Sequence, residues 1–451
     1  MSDKKPKIGF LSLGCPKNQI DTDVMLRELV DAGYELVAND YEADVMLINT
    51  CAFITPAKQE SIDNILDVAW LKKNRSLKAI IVTGCLAERY RDSIMEELPE
   101  VDALLGVGSI HKIKDAVDAV LRGKEYKSFE PVDECPLGGE RVVTTPEYTA
   151  YLKIAEGCDS RCTYCAIPAL RGRFRSRKIE DIIHEAKELE ELGVRELILV
   201  AQDTTRYGLD IYGEYRLDEL IRQITAETEI PWIRLLYCYP DKITDGLLRE
   251  FRENPRLLRY IDIPIQHINK DILRRMNRHG GEDAVRNAVA KLRAIGPDMI
   301  IRTTAIVGFP GEQEEDFYEL CDFIEETKFD RFGAFAYSRE EGTPAADFPD
   351  QTDEQTKQDR LDKIMQLQYE INEELNEKKV GQTIEVLYEG WDPVAESCYG
   401  RSYADAPEID GKIYFTAKRR PKEGDFVRVK ITEVLDYDLI GVAVQKDIKK
   451  K

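Results

Sequence analysis

Three cysteines fall within eight positions of the segment "EGCDSRCTYCAIPALRGRFRSR", residues 156–177: Cys158, Cys162 and Cys165. Thiolates are soft metal ligands, and three at CxxxCxxC spacing can grip one centre from a single loop. Such a triad can be most of a tetrahedral zinc site, completed by a distant Cys135, Cys238 or one of the four histidines. It can equally hold a [4Fe-4S] cubane, which normally takes four thiolates; three leave one iron open to a small molecule.

Three further cysteines each close a short apolar run: Cys15 in "LGCPKN", Cys51 in "NTCAF" and Cys85 in "TGCLA". A single cysteine at a strand end is ordinarily a small buried hydrophobe. Ligands of open α/β sheets gather outside the carboxyl ends of the strands, however, so three cysteines in that position could converge on a second centre. Cys135, Cys238, Cys321 and Cys398 have no such pattern and read as ordinary residues.

The elements that must position these groups fall into three regions. From 7 to 122, "KIGFLSLGC", "ADVMLINTC" and "KAIIVTGC" alternate with helical patterns, the signature of an α/β domain with a parallel sheet. From 144 to 375, six strand candidates ("YLKIAE", "ELILVA", "WIRLLY", "YIDIPI", "IIRTTAI" and "RFGAFA") are mostly separated by helical stretches. That predicts a partial (β/α)6 barrel with its chemistry at the carboxyl ends of the strands, where the triad follows "YLKIAE". From 380 to 448, short strands with Gly and Pro turns predict a small OB-like β-barrel.

The chain has 451 residues, 43% hydrophobic and 33% charged, as expected of a folded multidomain protein. No apolar run reaches membrane-span length and "MSDKKPK" leads straight into a strand, so the expected location is the cytoplasm, with no membrane partner. Ten cysteines in a reducing compartment favour metal or redox chemistry over a disulfide framework. A formal net charge of −21 argues against a protein devoted to gripping phosphate backbones.

The triad "CDSRCTYC", with the aromatic Tyr164 before its last cysteine and the first barrel strand behind it, resembles that of the radical S-adenosylmethionine enzymes. The resemblance implies that Cys158, Cys162 and Cys165 hold a catalytic [4Fe-4S] cluster. Its open iron would take the methionyl amine and carboxylate of S-adenosylmethionine, whose cleavage yields a hydrogen-abstracting 5′-deoxyadenosyl radical. Tyr164 is a candidate cofactor contact, as are Gln202 and Asp203 of "AQDTTRYG". Gly308 and Gly311 of "IVGFPGE" would let backbone approach the adenosine, although tight turns alone also call for glycine.

With Cys15, Cys51 and Cys85 added, the chain resembles the methylthiotransferases over nearly its whole length, its tail looking like their TRAM domain. This implies a second [4Fe-4S] cluster on those three cysteines, with S-adenosylmethionine serving as both methyl donor and radical source. One branch of the family modifies an adenosine of transfer RNA, the other the β-carbon of an aspartate in small-subunit ribosomal protein twelve. "SLGCPKN", "AQDTTRYG" and "DAPEIDG" resemble the second branch. The implied partners are that ribosomal protein, free or on the ribosome, an electron donor such as a flavodoxin, and a sulfur donor that the sequence does not identify.

The tail carries 12 Asp and Glu against 8 Lys and Arg between 380 and 445. A domain meant for transfer RNA should be basic, so that partner is not expected; an exposed acidic "DAPEID", with Asp405, Glu408 and Asp410, would suit a basic protein. "RGRFRSR" sets Arg171, Arg173, Arg175 and Arg177 past the triad, either to bind a substrate carboxylate or as a solvated rim.

Overall fold

The computed structural model describes residues 5–444; positions 445–448, assigned above to the third domain, lie outside the described residues. Strands β1 (Lys7–Ser12), β2 (Glu35–Leu36), β3 (Val45–Thr50), β4 (Ala79–Gly84), β5 (Ala103–Leu105) and β6 (Tyr126–Ser128) form one sheet in the order β2-β1-β3-β4-β5-β6, parallel throughout. Every residue of "VMLINT" and "AIIVTG" is buried, because helices cover both faces of a parallel sheet. Met46, Ile48, Ile80 and Val82 pack with Ile65, Val68 and Leu71 of helix α2 (Thr55–Asn74). Val45, Leu47, Ala79 and Ile81 meet Met25, Leu26 and Leu29 of helix α1 (Pro16–Asp31) on the other face.

The second unit begins with β7 (Thr149–Lys153), followed by a small antiparallel pair, β8 (Ala155–Glu156) with β9 (Arg175–Ser176), which brackets the cysteine loop. Then come β10 (Glu196–Val200), β11 (Trp232–Leu235), β12 (Leu257–Asp262), β13 (Ile300–Val307) and β14 (Arg331–Ala336). Six parallel strands lie in sequence order, β7-β10-β11-β12-β13-β14, and the sheet does not close. The period of two sends Leu152, Leu197, Leu199, Ile233, Leu235 and Ile301 outward against the helices. It sends Tyr151, Ile198, Val200, Leu236 and Tyr260 inward.

The third unit is a closed barrel of β15 (Thr383–Asp392), β16 (Ser397–Arg401), β17 (Ile413–Thr416), β18 (Phe426–Leu435) and β19 (Asp438–Ala443). Its segment 401–410 packs into the base of the central barrel, at the amino-terminal ends of the strands. There Ala404 and Ala406 join Ile198, Tyr260 and Ile300, together with Ile20 of α1, in one cluster to which all three units contribute.

This placement corrects the expectation of an exposed acidic loop. Asp405 is buried and paired with Arg331, while its other oxygen accepts from Ser402 Oγ at 2.6 Å. Asp410 accepts from the Tyr260 hydroxyl at 2.7 Å and lies 3.6 Å from Arg302. Of the three acids only Glu408 is exposed. Carboxylates enter an interior only where cations meet them, and inward-facing Arg302 and Arg331 are those cations.

Candidate active site

In the first domain the strand order reverses at β1 and β3, and a crevice forms outside the carboxyl ends at such a switch point. Cys15 lies three residues past β1, Cys51 immediately follows β3, and Cys85 immediately follows β4 as the first residue of helix α3 (Cys85–Tyr90). The three strands are adjacent, so the cysteines come together. A Cβ placed on Gly14, whose φ is +89°, would stand 2.7 Å from Cys51 Cβ, so only glycine lets the Cys15 loop close over its neighbour.

The second triad occupies a loop stapled to the barrel. Cys158 N–H donates to Gly172 O at 3.1 Å, Thr163 N–H to Met276 O at 3.1 Å, and Ala345 N–H to Thr163 O at 2.9 Å. Cys158 and Cys162 are buried and Cys165 half-buried. The Tyr239 hydroxyl lies 4.0 Å from Cys162 Sγ, and Arg278 reaches the same sulfur at 3.9 Å while stacking 4.3 Å from the centre of the Tyr239 ring.

One short segment joins the two triads. Tyr237 and Tyr239, two residues apart beyond β11, face different cysteine sets: Tyr239 meets Cys162, while the Tyr237 hydroxyl is pushed up by burial and by the nearby Cys15. Lys17, two residues past Cys15, places its ammonium 3.3 Å from the centre of the Tyr237 ring. Tyr237 holds a φ of +60°, a left-handed conformation uncommon for a large side chain.

A buried polar cluster locks the domains around this point. Lys153 donates to Asp21 of α1 at 2.6 Å and to Glu156 at 2.9 Å, and Arg171 pairs with Asp21 at 2.6 Å. Arg171 also donates to Asn18. On the opposite side Glu340 takes Lys58 at 2.8 Å and Arg89 at 2.7 Å, clamping the loop after β14 to α2 and α3.

Most of the "RGRFRSR" arginines are committed within the fold, and one lies on a solvated rim. Arg171 is buried in the cluster just described, and Arg177 is buried against Glu185 at 2.6 Å. Arg175 donates to the carbonyls of Val132, Asp133 and Cys135; only Arg173 is a solvated cation. Asp203 is also spoken for: it accepts from Thr205 Oγ1 at 2.9 Å, caps the turn at Arg206 and pairs with Lys242 at 3.1 Å. Gln202 donates its amide to Glu156, leaving its buried Oε1 without a hydrogen-bond partner.

Tyr164 packs edge-on to Phe309, ring centres 6.5 Å apart, so the cysteine loop does meet "GFPGE". The open face of each glycine there is occupied by protein. A Cβ on Gly308 would lie 2.4 Å from Lys357 Cγ, and one on Gly311 within 3 Å of Arg275 and Asp350. With φ of +69° and +86°, these glycines serve the turn and those contacts. Buried Glu312 organises the turn, accepting from Gly308 N–H at 3.0 Å and Arg360 at 2.8 Å.

Burial and neighbouring Cys85 push Cys51 up to about 12; burial also raises Cys85, Cys158 and Cys165. Such thiols keep their protons at neutral pH until a metal replaces them. Among the described residues, no three His, Cys, Asp or Glu close tightly enough on a point to hold a single metal ion. Beside the loop, Ser160 Oγ and Gln202 Oε1 are buried without hydrogen-bond partners, as expected where a polar cofactor completes the site.

Comparison with known proteins agrees. Residues 7–106 match an uncharacterized protein family, UPF0004, residues 152–324 the radical SAM superfamily, and residues 380–444 the TRAM domain. The chain is 51% identical to the ribosomal protein uS12 methylthiotransferase RimO of Desulforamulus reducens, over 98% of this chain and 100% of that one. The chain belongs to the RimO family. It is also 51% identical to RimO of Pelotomaculum thermopropionicum, over 97% of this chain and 99% of the relative. A radical S-adenosylmethionine methyltransferase, TsrM from Kitasatospora setae, shares the fold with a TM-score of 0.57 at 15% identity, over 76% of this chain and 77% of that one. Membership of the radical SAM superfamily implies S-adenosylmethionine and a [4Fe-4S] cluster. No described helix is long and apolar enough to cross a membrane.

Sequence spacing singled out the six cysteines that the fold gathers into two sets, but not Lys17, Arg278, Tyr237 and Tyr239, which lie beside them. The "YCYP" run after an apolar strand was the available signal, because barrel chemistry sits where strands end.

Proposed function

We propose that this chain methylthiolates the β-carbon of an aspartate in ribosomal protein uS12, using both cysteine triads. The observation that supports the reading is the Tyr237–Tyr239 segment, in which Tyr239 lies against Cys162 of the barrel while Tyr237 meets Lys17 and lies near Cys15 of the first domain. A [4Fe-4S] cluster on Cys158, Cys162 and Cys165 would supply, when bound, the electron that cleaves S-adenosylmethionine to a radical able to take hydrogen from carbon. A second cluster on Cys15, Cys51 and Cys85 is part of the same reading, as are S-adenosylmethionine as methyl donor and an electron donor such as a flavodoxin.

The protein's own residues hold, orient and shield. Gln202 Oε1 and Ser160 Oγ offer acceptors to the methionyl amine, and Tyr164 with Phe309 supplies an apolar wall. Arg278 holds positive charge against the Cys162 sulfur. The Asp21–Lys153–Glu156–Arg171 cluster and the Glu340 clamp fix the first domain over the barrel mouth, which keeps water from a reactive intermediate.

Mass spectrometry of uS12 and transfer RNA from cells lacking this protein tests the reading. The expected result is uS12 without its methylthio mass increment and unchanged transfer RNA. Loss of methylthio-adenosine with uS12 unchanged would reverse the substrate assignment.

A further inference from the structure

Lys17 is a cation in an unfavourable place. It occupies the first turn of α1, where the helix already presents its positive end and no acidic residue lies in that turn. Its side chain is 5% exposed. Among the described residues no hydrogen bond and no ion pair reaches its ammonium; the Tyr237 ring lies 3.3 Å away, and Cys15, Glu156 and Asp262 act on it only at longer range, against the cost of burial. A ring face compensates a buried cation only in part.

The nearby carboxylates are already committed. Glu156 belongs to Lys153 and Arg171, Asp21 to the same two, and Asp262 to Arg302 at 2.8 Å. The fold therefore holds an ammonium without an ion-pair partner beside Cys15 and Tyr237, open to an anion from outside.

We infer that Lys17 is a specificity-determining residue that binds the side-chain carboxylate of the substrate aspartate. The inference rests on the functional reading above and adds the group that recognises the reacting side chain. A carboxylate held by Lys17 leaves the β-carbon one bond away, beside Cys15 and facing the segment that carries Tyr239. The other carboxylate available is the methionyl group of S-adenosylmethionine. Lys17 lies on the opposite domain from the triad expected to hold that group, which favours the substrate.

The test is anaerobic binding of uS12 to the cluster-loaded enzyme, comparing uS12 with its modified aspartate intact and with that residue changed to asparagine. The wild-type enzyme is expected to prefer the aspartate form by about tenfold or more. Lys17→Met keeps the stem and should bring the two forms within about twofold, the usual limit for independent sites, with iron content and S-adenosylmethionine affinity unchanged. Lys17→Arg should retain part of the preference. Undiminished preference in Lys17→Met overturns the inference. So does loss of S-adenosylmethionine binding with the preference intact, which would give the lysine to the cofactor. Loss of iron in both variants also overturns it, by giving the lysine to the auxiliary cluster. If the wild-type enzyme leaves uS12 unmodified by mass spectrometry, the functional reading itself has failed, and that result is seen before any Lys17 variant is made.

Discussion

At the base of the central barrel, Glu196 lies between Arg234 and Arg401, each at 2.6 Å, Arg331 meets Asp405, and Arg302 lies near Asp410. At its mouth, Lys17 of α1 has no ion-pair partner and meets the Tyr237 ring, Gln202 Oε1 and Ser160 Oγ have no hydrogen-bond partner, and burial raises the Cys158 and Cys165 thiols. The base is a finished interior whose charges come from two domains and satisfy each other. The mouth is unfinished, and its open valences are those that cofactors and a substrate carboxylate would fill. In a barrel of this kind the carboxyl-terminal face is where chemistry is built and the other face where stability is built.

The comparison breaks most severely at the cysteines. Changing Cys158, Cys162 and Cys165 together to Ala should remove about half the iron and all S-adenosylmethionine cleavage, measured as 5′-deoxyadenosine by chromatography. The matching change at Cys15, Cys51 and Cys85 should also remove about half the iron, yet leave cleavage and abolish sulfur insertion. Iron undiminished in both variants would show that the two triads do not hold the clusters.

At the base the expected effect is on stability. Arg331→Ala strands Asp405 in the interior and should cost about 3–5 kcal/mol, read as a lowered unfolding midpoint with the iron content of the folded protein unchanged. Arg331 holds the Asp405 carboxyl below its usual range, as Arg401 and Arg234 hold Glu196. Their contribution is therefore complete above the unfolded carboxylate values, near pH 4, and is lost as pH falls through the lower folded values. Asp405→Asn should weaken the protein at neutral pH and flatten its acid limb. An unchanged limb would mean that the pair is not coupled to folding.

Between the two ends, Glu340→Gln loosens the clamp on the first domain and should cost about 1.5–3 kcal/mol, detectable as faster proteolysis between the domains. The smallest effect belongs to Glu408→Gln. As an exposed acid outside the paired network, it should change stability by no more than about 0.5 kcal/mol in a denaturation curve.

The sequence carried the fold well because parallel-sheet strands are apolar on both faces and stand out as runs such as "VMLIN" and "ELILV". The cysteine loop was legible because its three thiols are local, and the scattered set because each member follows such a run. The acidic tail loop misled because "DAPEID" has the composition of a solvated turn, and its partners lie 74 residues away at Arg331 and further still at Arg302. A signal was nevertheless present: Arg234, Arg302 and Arg331 interrupt otherwise apolar barrel strands, and a buried arginine requires a buried anion. With Asp405 and Asp410 internally paired, the net charge of the tail no longer argues for a basic partner, so the substrate assignment rests on the family and the mouth.

The most direct measurement uses purified, reduced and sulfide-supplied enzyme with uS12 carrying deuterium on the β-carbon of its modified aspartate. The account requires a methylthio increment on that aspartate and deuterium in the 5′-deoxyadenosine released. A methylthio-adenosine appearing in transfer RNA while uS12 keeps its mass, or 5′-deoxyadenosine free of deuterium beside modified uS12, would contradict it.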